Sequence, residues 1–117
     1  MNNKKLGQIG EKIARLFLEA NEFQILDCNY RTLKGEIDII AKKEKAIHFV
    51  EVKTRRNKNV PALQSIGKTK CTHILRVAKH YLYKKKIRDT SYHIDAIEVY
   101  IEKTGAQLNY IPKIIEE

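Results

Sequence analysis

No aspartate or glutamate occurs between Val52 and Arg88, about a third of this 117-residue chain. The same stretch holds Lys53, Arg55, Arg56, Lys58, Lys68, Lys70, Arg76, Lys79, Lys84, Lys85, Lys86 and Arg88, twelve of the 23 basic residues. Soluble surfaces usually mix charge signs, so a single-sign block of this length favours a phosphate-binding face over a merely solvated one. The formal charge of +9 agrees with a polyanionic partner. Charge by itself does not separate nucleic acid from an anionic membrane.

Cysteine is scarce as well. Cys28 and Cys71 lie far apart and form no CxxC pair, so free buried thiols in a reducing compartment are expected. A structural zinc centre needs four closely spaced ligands, which are not present. No apolar run approaches the roughly 20 residues that cross a bilayer. Met1 to Leu6 leads into polar sequence without the apolar core of a signal peptide. A cytoplasmic protein with no membrane partner is expected. A Gly-rich phosphate loop and a Ser/His/Asp arrangement are also lacking, which argues against nucleotide hydrolysis and acyl transfer. His48, His73, His80 and His93 are scattered, and are assigned to packing or phosphate contact before metal.

What is present can build a core, since 43% of residues are hydrophobic and the length suits one domain over residues 1–117. Ile9, Ile13, Leu16, Phe17 and Ala20 recur at helical spacing and predict a helix from Gly7 to Ala20, stopped by Asn21 in a left-handed conformation. Glu11 falls at the edge of its apolar arc. Phe23 to Tyr30 reads as a strand, followed by short strands at 36–40 and 47–53. Thr54 to Gln64 reads as a basic loop with Pro61. Ser65 is placed to cap a helix running to about Lys86, with Ile66, Ile74, Val77, Ala78 and Tyr81 inward. Tyr92 to Ile101 alternates as a strand, and Gln107 to Ile114 reads as an edge strand limited by Pro112. The order αβββαββ predicts an α/β fold, a mixed sheet flanked by helices.

The chemistry concentrates on the middle strands. A hairpin centred between Glu44 and Lys45 sets Asp38 opposite Glu51 and Glu36 opposite Lys53. Opposed residues share a face, and alternation puts Glu51 and Lys53 on one face with Val50 and Val52 on the other. Mg²⁺ commonly takes one or two carboxylates plus waters and substrate phosphate, so Asp38 and Glu51 form a candidate metal site. A metal there would polarise a scissile phosphate and lower the pKa of a water. Lys53 would orient that water or stabilise transition-state charge. Arg55, Arg56, Lys68 and Lys70 are candidate phosphate contacts beside the patch. An E-x-K triplet alone is a weak signal. Its setting within apolar Ile47, Phe49, Val50 and Val52 makes unpartnered charges costly and strengthens it.

The segments Gly35-Glu36-Ile37-Asp38-Ile39-Ile40 and Phe49-Val50-Glu51-Val52-Lys53-Thr54-Arg55 resemble the YraN-like family of uncharacterised bacterial proteins. The resemblance extends through Gly7, Gly10, Glu11, Ala14 and Asn29-Tyr30-Arg31, then Lys68, Lys70, Ala78 and Tyr81-Leu82. The family is assigned from its motifs to endonucleases with a restriction-endonuclease-like core, akin to archaeal Holliday junction resolvases. The resemblance implies a single nuclease-like domain, with Asp38 and Glu51 as metal ligands and Lys53 as the catalytic lysine. Glu11 would match the acidic residue of the first helix. Two departures stand out: His93-Ile94-Asp95 replaces the usual Arg-Phe-Asp, and Ile37 stands where related nucleases often have proline.

The expected function is therefore an endonuclease dependent on Mg²⁺ or Mn²⁺, acting on DNA, with branched or recombination intermediates as candidate substrates. Many junction-cutting nucleases are dimers, but no exposed apolar patch in the sequence argues for a homodimer here. The alternative is a non-catalytic nucleic-acid-binding module with the same fold, and an assembly factor whose basic face meets RNA is a third reading.

Overall fold

Asn2 starts the first helix. Its Oδ1 accepts from the Lys5 backbone N–H at 2.8 Å, satisfying one of the donors that every helix start leaves free. The computed structural model describes residues 2–56 and 67–115, and its helix α1 spans Asn3–Ala20, about a turn earlier than the apolar periodicity places it. The cap acts before any apolar residue signals the helix. Asn21 is not left-handed, with φ −104°; Glu22 takes that conformation at φ 69°. Asn21 instead donates from its side-chain amide to the Phe17 carbonyl at 2.8 Å.

Five strands follow in the spatial order β1-β2-β3-β4-β5. They are β1 (Gln24–Thr32), β2 (Gly35–Lys43), β3 (Ala46–Arg55), β4 (Tyr92–Glu102) and β5 (Gly105–Ile115). The β3–β4 pair is parallel, and α2 (Lys68–Lys84) provides the crossover; the other pairs are antiparallel hairpins. The fold is thus α/β with a mixed sheet flanked by helices, in the order αβββαββ. Ala14 and Leu18 of α1 bury Ile39, Val50, Val52, Ile97 and Val99 against one face. Ile74, Val77, Ala78 and Tyr81 of α2 bury Ile37, Ile40, Ile47, Phe49 and Ile94 against the other. No described helix is long and apolar enough to cross a membrane.

Gly67 holds the cap position of α2, with extended backbone and no side-chain cap bond. Ser65 and Ile66, like Lys58 and Pro61, lie outside the described residues. Thr54 and Arg55 belong to β3 rather than to a loop, because β4 pairs with them at Val99 and Tyr100. Pro112 does not shorten β5. The ladder shifts between Ile94 and Ala96, and this bulge absorbs Pro112 together with Lys113 at φ 55°. Cys28 and Cys71 are free but only half-buried.

A candidate metal centre at a fork in the sheet

The β2–β3 hairpin turns at Glu44-Lys45, with Glu44 at φ 56°, and pairs Lys43 with Ala46 through to Ile39 with Val50. That is the register the sequence predicts. The ladder stops there, however. Beyond it β2 continues with β1, through Ile37↔Tyr30 and Glu36↔Arg31, while β3 continues with β4. The two middle strands part into a fork, and Asp38 and Glu51 flank its crotch. Asp38 fills the gap left by the missing ladder bond, its Oδ2 accepting from the Val52 backbone N–H at 2.8 Å.

A local twist accompanies the fork. Cys28 lies near Arg15 and Glu11 of α1, whereas Tyr30 packs into the α2 cluster. Ile39 and Ile37 divide in the same way. Residues two apart on a strand normally share a face, so both strands switch faces at Asn29 and Asp38. Asn29, at φ 52°, supplies the left-handed step that Asn tolerates better than most residues. The face switch explains how Asp38 enters the crotch.

Alternation on β3 holds as predicted. Val50 and Val52 face α1, and Glu51 lies on the α2 face, where Lys70 Nζ of α2 stands 3.5 Å from its Oε2. Glu51 is only 5% exposed, and its Oε2 accepts no hydrogen bond among the described residues. Burial first, then a hydrogen bond with Asp38 and that residue's charge, push the Glu51 carboxyl up to about 8; Lys70 and Lys53 pull it down. A buried carboxylate beside a half-buried one cannot stay ionised cheaply, so the pair favours holding a proton or a cation. An orphaned buried oxygen beside a second carboxylate fits a hard divalent cation. Among the described residues no group of three or more His, Cys, Asp or Glu is placed to hold a metal. The site therefore offers two side-chain carboxylates, which suits an ion completed by waters and phosphate.

Glu11 reaches the rim of this site because Gly10 lets α1 touch β3. A Cβ on Gly10 would lie 2.8 Å from the Thr54 Cβ, an overlap that no other residue avoids. Burial, then the charges of Asp38 and Glu36, raise the Glu11 carboxyl, while Arg15 and Asn29 oppose the rise. With its amide nitrogen turned toward the acceptors, Asn29 donates to Glu11 Oε1 at 2.9 Å and Glu36 Oε1 at 3.1 Å. Glu36 also pairs with Arg31 at 3.4 Å. The predicted opposition of Glu36 and Lys53 is thus not formed, because the ladder ends before it. Lys53, Arg55 and Arg56 line an open cleft of about 510 Å³ with Glu11. Lys70 stands at the carboxylate pair itself, and Lys68 opens α2 with its side chain outside the described part.

The sequence pattern does not show that Asn29, Glu36 and Arg15 gather around Glu11 at the rim. A lone Asn inside an apolar strand was the available signal for the twist. Nor does the pattern show the role of Asp95, which is fully buried. Asp95 Oδ2 accepts from His48 Nδ1 at 2.6 Å and Tyr110 Oη at 2.5 Å, and its Oδ1 from the Lys113 N–H at 2.9 Å. Burial would raise this carboxyl, but the three donors hold it below the usual range. The β5 bulge frees the Lys113 N–H for that bond. His93 stacks on His48, and His80 Nδ1 meets Tyr30 Oη at 3.1 Å, so these histidines serve packing and hydrogen bonding.

The uncharacterised protein family UPF0102 matches residues 10–99, a span that contains the fork, α2 and most of β4. A UPF0102 protein of Clostridium beijerinckii is 40% identical over 113 residues, covering 93% of this chain and 91% of the relative. Another from Clostridioides difficile is 45% identical over 102 residues, with 86% and 90% covered. One from Dictyoglomus thermophilum is 38% identical over 112 residues, with 94% of each chain covered.

Proposed function

We propose that this chain, which belongs to the uncharacterised protein family UPF0102, is a Mg²⁺- or Mn²⁺-dependent endonuclease acting on branched DNA. The observation that carries the reading is the Asp38–Glu51 pair, with its buried, unbonded Oε2 at the crotch of the fork. A fold gains no stability from such a pair unless something else occupies it. Asp38 and Glu51 would hold the cation, with Asp38 oriented by the Val52 N–H. When bound, the ion supplies Lewis acidity toward a phosphate oxygen and lowers the pKa of a water. Lys53 stabilises the negative charge that grows on the phosphate as water attacks and the P–O bond breaks. Lys70, 3.5 Å from Glu51 Oε2, is near enough to the pair to contact the phosphate when substrate enters. The choice of DNA, and of branched forms, follows the resemblance of segments 35–40 and 49–55 to the YraN-like family, which is described as akin to archaeal Holliday junction resolvases.

One observation favours a second reading. Lys70 already provides Glu51 with a countercharge at 3.5 Å, as it would in a non-catalytic nucleic-acid-binding module. Incubation with labelled linear, flap and four-way-junction DNA, with and without Mg²⁺ or Mn²⁺, separates the two. Metal-dependent cleavage of the branched substrates is expected. Tight binding without cleavage on every substrate would establish the module instead.

A further inference from the structure

The end of the sheet remote from the fork carries a second concentration of charge. Lys42 and Lys45 at the β2–β3 turn, and Lys86 and Arg88 after α2, line a hollow of about 640 Å³. All four are exposed, and none makes an ion pair among the described residues. Asp89 is the one acid in the lining, and the floor includes buried Ile47. Lysines after a helix C-terminus do complement its dipole. That accounts for Lys86 at most, and leaves Lys42 and Lys45 on a different element pointing at the same space.

Helix α2 connects this hollow to the carboxylate pair. Its N-terminal turn brings Lys70 to Glu51, and the chain just past its C-terminus brings Lys86 to Lys42 and Lys45. It runs antiparallel to β3, and no residue from Lys68 to Lys84 is acidic. Arg76 and Lys79 are exposed along the way. From Lys70 to Lys84 the helix rises about 20 Å, which at about 3.4 Å per base pair is about six base pairs of duplex.

We infer that the basic hollow formed by Lys42, Lys45, Lys86 and Arg88 is a second phosphate-binding site, which grips a nucleic-acid duplex about six base pairs from the Asp38–Glu51 pair. The hollow holds the backbone of one arm while the fork receives the phosphate to be cut. This inference rests on the nucleic-acid part of the proposed function. A membrane surface is the poorer occupant, because the hollow is concave and exposes no large apolar side chain for insertion.

The test uses full-length Asp38→Asn protein, so that binding is read without cleavage. Fluorescence anisotropy is measured over a salt series with blunt duplexes of about 4 to 16 base pairs. Affinity should rise with length until the duplex spans both sites, then level. The added changes Lys42→Ala, Lys45→Ala, Lys86→Ala and Arg88→Ala should remove that rise and weaken long-duplex binding about tenfold or more. The log–log salt slope should fall by about 3 to 4, at roughly 0.9 per phosphate contact. Arginine at the three lysine positions, with Arg88 kept, should restore both, which excludes misfolding as the cause. If the alanine variant keeps the parent's slope and length dependence, the inference falls while the proposed function stands. If the parent protein binds no duplex at any salt, the nucleic-acid reading falls and takes the inference with it. A larger loss on phosphatidylserine vesicles than on duplex would assign the hollow to membrane and overturn the inference.

Discussion

Replacing Glu51 with Gln should stabilise the metal-free protein at alkaline pH and abolish its response to divalent metal. Glu51 is buried against Asp38 and protonates near pH 8, against 4.5 for an ordinary glutamate. A raised carboxyl pKa favours the folded state at low pH. That contribution is complete below about pH 4.5, and is lost as pH rises through about 8. At about 1.4 kcal/mol per pH unit, the displacement amounts to about 3–5 kcal/mol between those limits. That is a large share of the 5–15 kcal/mol typical of a domain. Glutamine keeps the shape, donates to Asp38 and never ionises. Wild type and Glu51→Gln should therefore melt alike near pH 4 in EDTA and diverge steadily as pH rises. At pH 9 the variant should melt about 10–20 °C higher. Mn²⁺ at about a hundred times its Kd should return about 2.7 kcal/mol to wild type alone. Thermal melts from pH 4 to 9, with EDTA or Mn²⁺, read all of this. A gap between the two proteins that stays constant across that range would show that Glu51 is not protonated in the folded state, and would refute the reasoning.

Other residues give independent tests. Gly10→Ala drives a methyl into Thr54, and should cost about 1–3 kcal/mol in urea unfolding. Asp95→Asn leaves His48, Tyr110 and the Lys113 N–H without their charged acceptor, and should cost about 2–4 kcal/mol at pH 7. Because its donors hold the Asp95 carboxyl low, that stability is present above about pH 4 and is lost on further acidification. The variant should therefore lose less stability than wild type between pH 5 and 2 on circular-dichroism melts. Lys53→Ala should lower the single-turnover cleavage rate by about 10²–10³ with little change in DNA affinity measured by anisotropy.

The register of the middle hairpin was legible because Val50 and Val52 had to face a core, and a one-residue slip would have exposed them. Element order was legible for the same reason, since each strand and helix carried its own period. The fork was not. It exists because β4 pairs with β3 along nine positions and β1 holds the first half of β2, and neither partner is visible from the hairpin's own residues. That is why the hairpin's own pattern sets Glu36 against Lys53, whereas Glu36 bonds Arg31 and Asn29. Asp95 was hidden by the same kind of cause. Its partners come from β3 and from β5, whose bulge at Pro112 and Lys113 lies opposite it and which the sequence presents only as a proline limiting a strand.

If Asp38 and Glu51 together hold a divalent cation for phosphodiester cleavage, neither carboxylate is dispensable. Single-turnover cleavage of a labelled four-way junction in Mn²⁺, by wild type, Asp38→Ala and Glu51→Ala, tests it most directly. Cleavage by wild type should disappear in EDTA and in each variant, while all three proteins still bind the junction. Wild-type cleavage that survives in both variants would contradict it.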